Sequence, residues 1–201
     1  MSFHPLMVYD RGKFQKSERR MAEEGPPFAL TPERRAQLDN ILANYPPERK
    51  RSAVLAALYL VQEQAGYLTA NGMRHIAPLL DLTPAEVEDV ATYYVMFYKA
   101  PVGKYVLQVC RTLSCALAGA ERVTESLSEK LGIGVGDTDP SAMFTLLEFE
   151  CLGACDRAPV VMVNNELWHE AATPENAGRL VDELKVRGGA ALSGCHLDIE
   201  R

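Results

Sequence analysis

Much of what this chain does not do can be read from what its sequence lacks. No apolar run reaches the ~18 residues a membrane-spanning helix needs. The N-terminus, Met1 to Arg11, has no basic segment leading into an apolar core with a cleavage site. The expectation is a cytoplasmic protein with no direct membrane insertion. There is no C-x-x-C, which excludes a thioredoxin-type dithiol. The four histidines, at positions 4, 75, 169 and 196, do not pair with the cysteines as a Rieske centre requires. His169 is expected at the surface or in a hairpin. No glycine-rich dinucleotide loop joins a strand to a helix: Gly132-Ile133-Gly134-Val135-Gly136 follows a helical stretch and reads as a plain loop. Nothing in the chain supplies a flavin or nicotinamide site, and no catalytic residue is assigned.

What the chain has is five cysteines, four of them in two close pairs. Cys110 and Cys115 belong to V-C-R-T-L-S-C, and Cys151 and Cys155 to E-C-L-G-A-C, with 35 residues between the pairs. Without a secretion signal, such thiols argue for metal or redox duty over a disulfide framework. Thiolate sulfur prefers zinc, copper(I) or iron–sulfur iron to harder ions. Zinc ribbons usually take C-x2-C on each side, whereas these wider gaps of four and three residues suit a two-iron rhomb in which each iron takes two sulfurs. Cys195, in Ser193-Gly194-Cys195-His196, lies in a polar tail and reads as a non-ligand.

The C-x4-C and C-x3-C pairs resemble the signature of the thioredoxin-like [2Fe-2S] ferredoxins. More narrowly, G-K-Y-V-L-Q-V-C-R-T-L-S-C-A-L-A-G-A, E-C-L-G-A-C-D-R-A-P-V-V-M-V-N and the earlier V-A-T-Y-Y-V-M-F-Y are similar to the 24 kDa subunit family of NADH:quinone oxidoreductase, respiratory complex I. The resemblance implies one [2Fe-2S] cluster with Cys110, Cys115, Cys151 and Cys155 as its ligands. It also implies an electron-carrier role, with an FMN-bearing NADH-oxidising subunit and other peripheral-arm subunits as partners. The same layout serves NAD-linked hydrogenases and formate dehydrogenases; a zinc-binding adaptor is the alternative from another class.

Charge narrows the partners further. Residues 1–100 carry 12 Lys or Arg against 12 Asp or Glu, and residues 101–201 carry 9 against 15, so the net charge of −6 sits with the cysteines. Nucleic acid is a poor partner for that half. The helical half does not recover the possibility, because Glu86, Glu88 and Asp89 stand where a recognition helix needs basic or amide side chains.

The fold class read from the chain is α+β: a small N-terminal helical bundle followed by a thioredoxin-like [2Fe-2S] domain. Residues 1–30, with Phe3, Tyr9 and Phe14, read as a tail. Residues 31–100 form the bundle, with helices opening at Thr31-Pro32, spanning about Glu48–Gln64 and Ala70–Leu80, and opening again at the Thr83-Pro84-Ala85-Glu86 capping box. Tyr93, Tyr94, Phe97 and Tyr98, placed on one helix, exceed what a single face can bury, which leaves two readings: packing on the second domain across the linker, or an interface with a partner subunit. Residues 101–201 follow as β-α-β-β-α, with strands at Tyr105–Val109, Phe144–Phe149, Val160–Val163 and Leu167–Glu170. A helix is expected from Cys115 to Leu131, its N-terminal dipole favouring the Cys115 thiolate, and a last one from Thr173-Pro174 to about Arg187. Gly153 and Ala154 are expected to let the main chain approach the metal sulfurs closely.

Overall fold

The computed structural model describes residues 24–188. Phe3, Tyr9, Phe14 and Cys195 lie outside the described residues. The chain divides into two compact units between Pro101 and Val102.

In the first unit, α1 (Pro32–Leu42) starts where the Thr31 hydroxyl accepts the Arg34 amide, and proline fills the first helical position, where no donor is needed. The expected second helix is two pieces. Residues Pro47–Ala53 make a 3-10 turn with Arg49 at φ −118°, and only then does α2 (Val54–Ala65) begin, ending on Gly66 at φ +83°. The polar run Glu48 to Ser52 has nothing to bury before Ala53, so no core contact enforces α-helical register there. The third helix likewise splits into α3 (Ala70–Ile76) and a 3-10 turn, Ala77–Leu80. Pro78 has no amide hydrogen to continue the α ladder. α4 (Pro84–Tyr93) has the capping box that Thr83 and Glu86 announce, with each backbone amide bonded to the other's side chain. Leu38, Leu58, Val61, Ile76, Leu80 and Val87 meet in the core of this unit.

Two expectations for this unit need correction. Residues 24–30 are strapped to the bundle: the Asn71 amide group donates to the Gly25 and Pro26 carbonyls, Gln64 donates to the Ala29 carbonyl, and the Leu30 amide donates to His75 Nε2. The four aromatics also do not share a helix, because α4 ends at Tyr93 and Tyr94 is already extended. Phe97 turns inward against Tyr59, with ring centroids 5.2 Å apart, while Tyr93 stays 79% exposed.

Gln62 causes that inward turn. Its side chain donates to the Met96 carbonyl (3.1 Å) and accepts the Tyr98 amide (2.7 Å), so one nearly buried amide group fastens the outgoing chain to α2. Gln62→Leu keeps the volume but removes both of these hydrogen bonds; it is expected to cost about 1–3 kcal/mol. Amide exchange at Tyr98 should accelerate accordingly, and unchanged protection there would refute this role.

The second unit is a four-stranded sheet in the order β2-β1-β3-β4. β1 (Tyr105–Cys110) is central and buried at every position. β2 (Phe144–Phe149) runs parallel to it, with Tyr105 opposite Phe144 and Cys110 opposite Phe149. β3 (Val161–Val163) and β4 (Leu167–His169) form an antiparallel hairpin beside β1. Asn164 and Asn165 turn that hairpin with φ +54° and +59°, the geometry of a two-residue type I′ turn. Gln108, fully buried in β1, exchanges hydrogen bonds with Asn165, and Asn164 accepts the Val106 amide at 2.7 Å. The hairpin tip is thereby tied to the central strand by polar contacts inside the unit.

The helix expected from Cys115 to Leu131 is broken into α5 (Leu113–Leu117) and α6 (Ala120–Leu131) by Gly119 at φ +98°. The final helix, α7 (Pro174–Arg187), packs beside α6, where Lys130 reaches Asp182 at 2.7 Å. Among the described residues no helix is long and apolar enough to cross a membrane.

Candidate metal centre

The sheet brings the two cysteine loops together. β1 and β2 are parallel neighbours in register, so both run out at the same end. Cys110 is the last residue of β1, and Cys151 lies just beyond the end of β2. β3 is antiparallel to β1 and starts at that same end, which returns the chain there directly after Cys155. Two contacts hold the loops against each other. The Glu150 carbonyl lies 3.7 Å from Cys110 Sγ, and the Arg111 guanidinium reaches Glu150 at 2.9 Å. The chain's single tryptophan, Trp168 on β4, donates from Nε1 to the Leu152 carbonyl at 3.0 Å and pins the second loop from the other side. Sequence reading placed Trp168 in a strand without giving it a task, because its partner is 16 residues away.

The four cysteines are not equivalent. Cys110 and Cys115 are each 2% exposed, whereas Cys151 and Cys155 are exposed. Burial pushes the Cys110 thiol up, but donors outweigh it: the Thr112 hydroxyl at 3.3 Å, the Thr112 and Leu152 amides, and the Cys115 thiol. Cys110 therefore stands below the ordinary thiol value. For Cys115, burial, its hydrogen bond to Cys110, and the nearby Cys110 and Cys155 push the thiol up to about 11 against the Val160 amide. The helix expected to begin at Cys115 begins at Leu113 and is five residues long, so Cys115 is its third residue. Gly153 stands at φ +75°, a conformation that calls for glycine.

These residues fit a two-iron cluster by their donor chemistry. Four thiol sulfurs on two converging loops would give two ligands to each metal atom, and the Thr112, Leu152 and Val160 amides already aim at sulfur, as the hydrogen bonds that tune such clusters do. Among the described residues no three His, Cys, Asp or Glu side chains, the four cysteines included, are gathered closely enough to hold a metal ion. His169, expected at the surface or in a hairpin, lies in the second strand of the β3–β4 hairpin, with its Nε2 buried and without a hydrogen-bond partner. Pro159, between the second loop and β3, follows a cis peptide bond.

Comparison with known proteins agrees with the geometry. The pattern that defines the thioredoxin-like [2Fe-2S] ferredoxins matches residues 38–185. NADH-quinone oxidoreductase subunit 2 of Thermus thermophilus is 41% identical over 160 residues, covering 75% of this chain and 88% of that one. A subunit of the NADH-quinone oxidoreductase of Mycobacterium bovis is 42% identical over 166 residues, 81% of this chain and 65% of that one. Among solved structures, an NAD+-reducing [NiFe]-hydrogenase in the H2-reduced state shares the fold with a TM-score of 0.60 at 20% identity, over 69% of this chain and 23% of its own. With the cysteine loops meeting at one end of the sheet and the match running through both units, the chain belongs to the thioredoxin-like [2Fe-2S] ferredoxin family.

Proposed function

We propose that this chain is the electron-carrier subunit of an NADH:quinone oxidoreductase, holding one [2Fe-2S] cluster on Cys110, Cys115, Cys151 and Cys155 beside an FMN-bearing subunit that oxidises NADH. The observation that carries the reading is the convergence of two cysteine loops at the ends of adjacent parallel strands. The cluster supplies one-electron transfer when bound. The protein supplies the rest. Cys110 and Cys115 keep water from one side of the centre, the Thr112, Leu152 and Val160 amides offset thiolate charge, and the exposed second loop leaves the other side open to a partner. Exposed Tyr93 and Val95 on the first unit offer apolar contact area for assembly. The two relatives at 41% and 42% identity are quinone oxidoreductase subunits, which favours that complex over the NAD-linked hydrogenase, whose likeness is one of fold.

A nicotinamide gives up a hydride, and a flavin must split it before a one-electron centre can take part. The isolated, iron-loaded chain should therefore be red-brown and reducible by dithionite, as followed by paramagnetic resonance, yet stay oxidised in excess NADH. A colourless protein with bound zinc would favour the adaptor alternative. Rapid reduction by NADH alone, with flavin shown to be absent, would defeat the electron-carrier reading.

A further inference from the structure

One threonine differs from the others that open helices among the described residues. Thr31, Thr69, Thr83 and Thr173 each sit in extended backbone just ahead of a helix, and each hydroxyl oxygen accepts an amide of the first turn. Thr112 has the same kind of backbone ahead of α5, φ −77° and ψ 170°, but its side chain accepts none of that helix's amides. Its hydroxyl lies 3.3 Å from Cys110 Sγ instead. The helix forgoes a cap that threonine ordinarily supplies, and the sulfur gains an oxygen neighbour.

The chemistry of the sulfur fixes which way the hydrogen points. In the metal-free chain either atom can donate, since thiol and hydroxyl each carry a hydrogen. A metal-bound cysteine is a thiolate and has none, so the hydroxyl must donate once Cys110 is a ligand. The Cys115 thiol, which also donates to Cys110 in the metal-free chain, loses its hydrogen in the same way. The Glu150 carbonyl, 3.7 Å from the same sulfur, can only accept. What remains at Cys110 Sγ is the Thr112 hydroxyl with the Thr112 and Leu152 amides, and of these donors only the hydroxyl belongs to a side chain.

We propose that the Thr112 hydroxyl sets the reduction potential of the centre by donating to the Cys110 sulfur. The inference rests on the electron-carrier reading and adds to it a positioning residue, acting through Cys110, that decides how readily the carrier takes its electron. Uptake of one electron makes and breaks no bond; it adds one negative charge, of which the ligand sulfurs take a share. A donor at sulfur is worth more to the more negative state, so the hydroxyl favours reduction.

The test is a redox titration of the iron-loaded full chain, with dithionite giving up the electrons and ending as sulfite, and with paramagnetic resonance following the reduced cluster. Thr112→Val keeps the branched shape and removes the O–H; Thr112→Ser keeps the O–H and removes the methyl. The valine variant should shift the one-electron equilibrium about tenfold toward the oxidised form, a midpoint lower by about 59 mV, and the serine variant should stay within about twofold of wild type. A hydroxyl needed only for folding would instead change iron content or thermal midpoint and leave the potential of the loaded fraction where it was. A valine variant within about twofold of wild type, or a serine variant shifted as far as valine, overturns the proposal. A crystal structure of the iron-loaded wild type, for which no variant has to fold, should keep Thr112 Oγ1 within hydrogen-bond reach of Cys110 Sγ; an oxygen turned back to cap α5 overturns the proposal as well. A wild-type chain that takes up no iron defeats the electron-carrier reading and this inference with it; an iron-loaded chain whose potential ignores the valine substitution defeats the inference alone.

Discussion

Serine at Cys110, Cys115, Cys151 or Cys155 is expected to lower iron and sulfide content at least about tenfold after purification, because each thiolate is taken as one of only four ligands and a hydroxyl is a poor ligand for iron in such a centre. The loss should be deepest at Cys110 and Cys115. There the sulfur is 2% exposed and already receives the Thr112, Leu152 or Val160 amide, so the shorter hydroxyl leaves those donors without a partner as well as removing the ligand. Cys151 and Cys155 lie on an exposed loop where water can complete a coordination shell, and a residual, spectrally altered cluster is the expected remnant. Cys195→Ser should leave content and spectrum unchanged. Iron and sulfide analysis with visible absorption decides each case: full occupancy in any one of the four variants, or loss in Cys195→Ser, removes that residue's assignment.

The second large effect is expected far from the metal centre. Gly103, two residues before β1, lies against the backbone of the strand that delivers the second cysteine pair. A Cβ on Gly103 would stand 2.7 Å from both the Phe144 nitrogen and carbonyl carbon and 2.9 Å from the Met143 carbonyl carbon. These are main-chain atoms and cannot rotate away. The Gly103 amide meanwhile donates to buried Thr145 Oγ1 at 2.7 Å, and the Lys104 and Tyr105 amides donate to the Ala142 and Met143 carbonyls. Relieving the clash by moving apart would break the first rungs between β1 and β2. Gly103→Ala is expected to destabilise the second unit by about 2–4 kcal/mol, lowering its thermal midpoint by roughly 10 °C or more. Gly178→Ala is the contrast: its Cβ meets only the Lys130 side chain at 3.6 Å or beyond, inside α7, and should stabilise by about 0.5–1 kcal/mol. Equal midpoints for Gly103→Ala and wild type would show that the strand pair yields more easily than the contact distances imply.

Local chemistry determined a great deal of this protein from the sequence alone. Thr31-Pro32, the Thr83/Glu86 box and Thr173-Pro174 each open a helix where they stand, because a cap and a proline act on the backbone within four residues of themselves. The apolar, aromatic-ended run Phe144–Phe149 reads as a strand, and Asn164-Asn165 tolerates the positive φ that a two-residue hairpin requires. The cysteine spacing, read with the family resemblance, named the metal chemistry. The tertiary structure decided whatever depends on residues far apart in the chain. Gln62 and Tyr98 are 36 positions apart, Gln108 and Asn165 are 57, and Gly103 meets β2 some forty residues on. No periodicity encodes such pairings, since the pattern at each end looks ordinary until the other arrives. The same holds at the centre itself, where the amides that reach Cys110 and Cys115 from Leu152 and Val160 come from loops that only sheet order places beside them. Spacing shows which side chains can bind a metal; the burial that makes one pair of thiols inaccessible and leaves the other pair open is a property of the folded sheet.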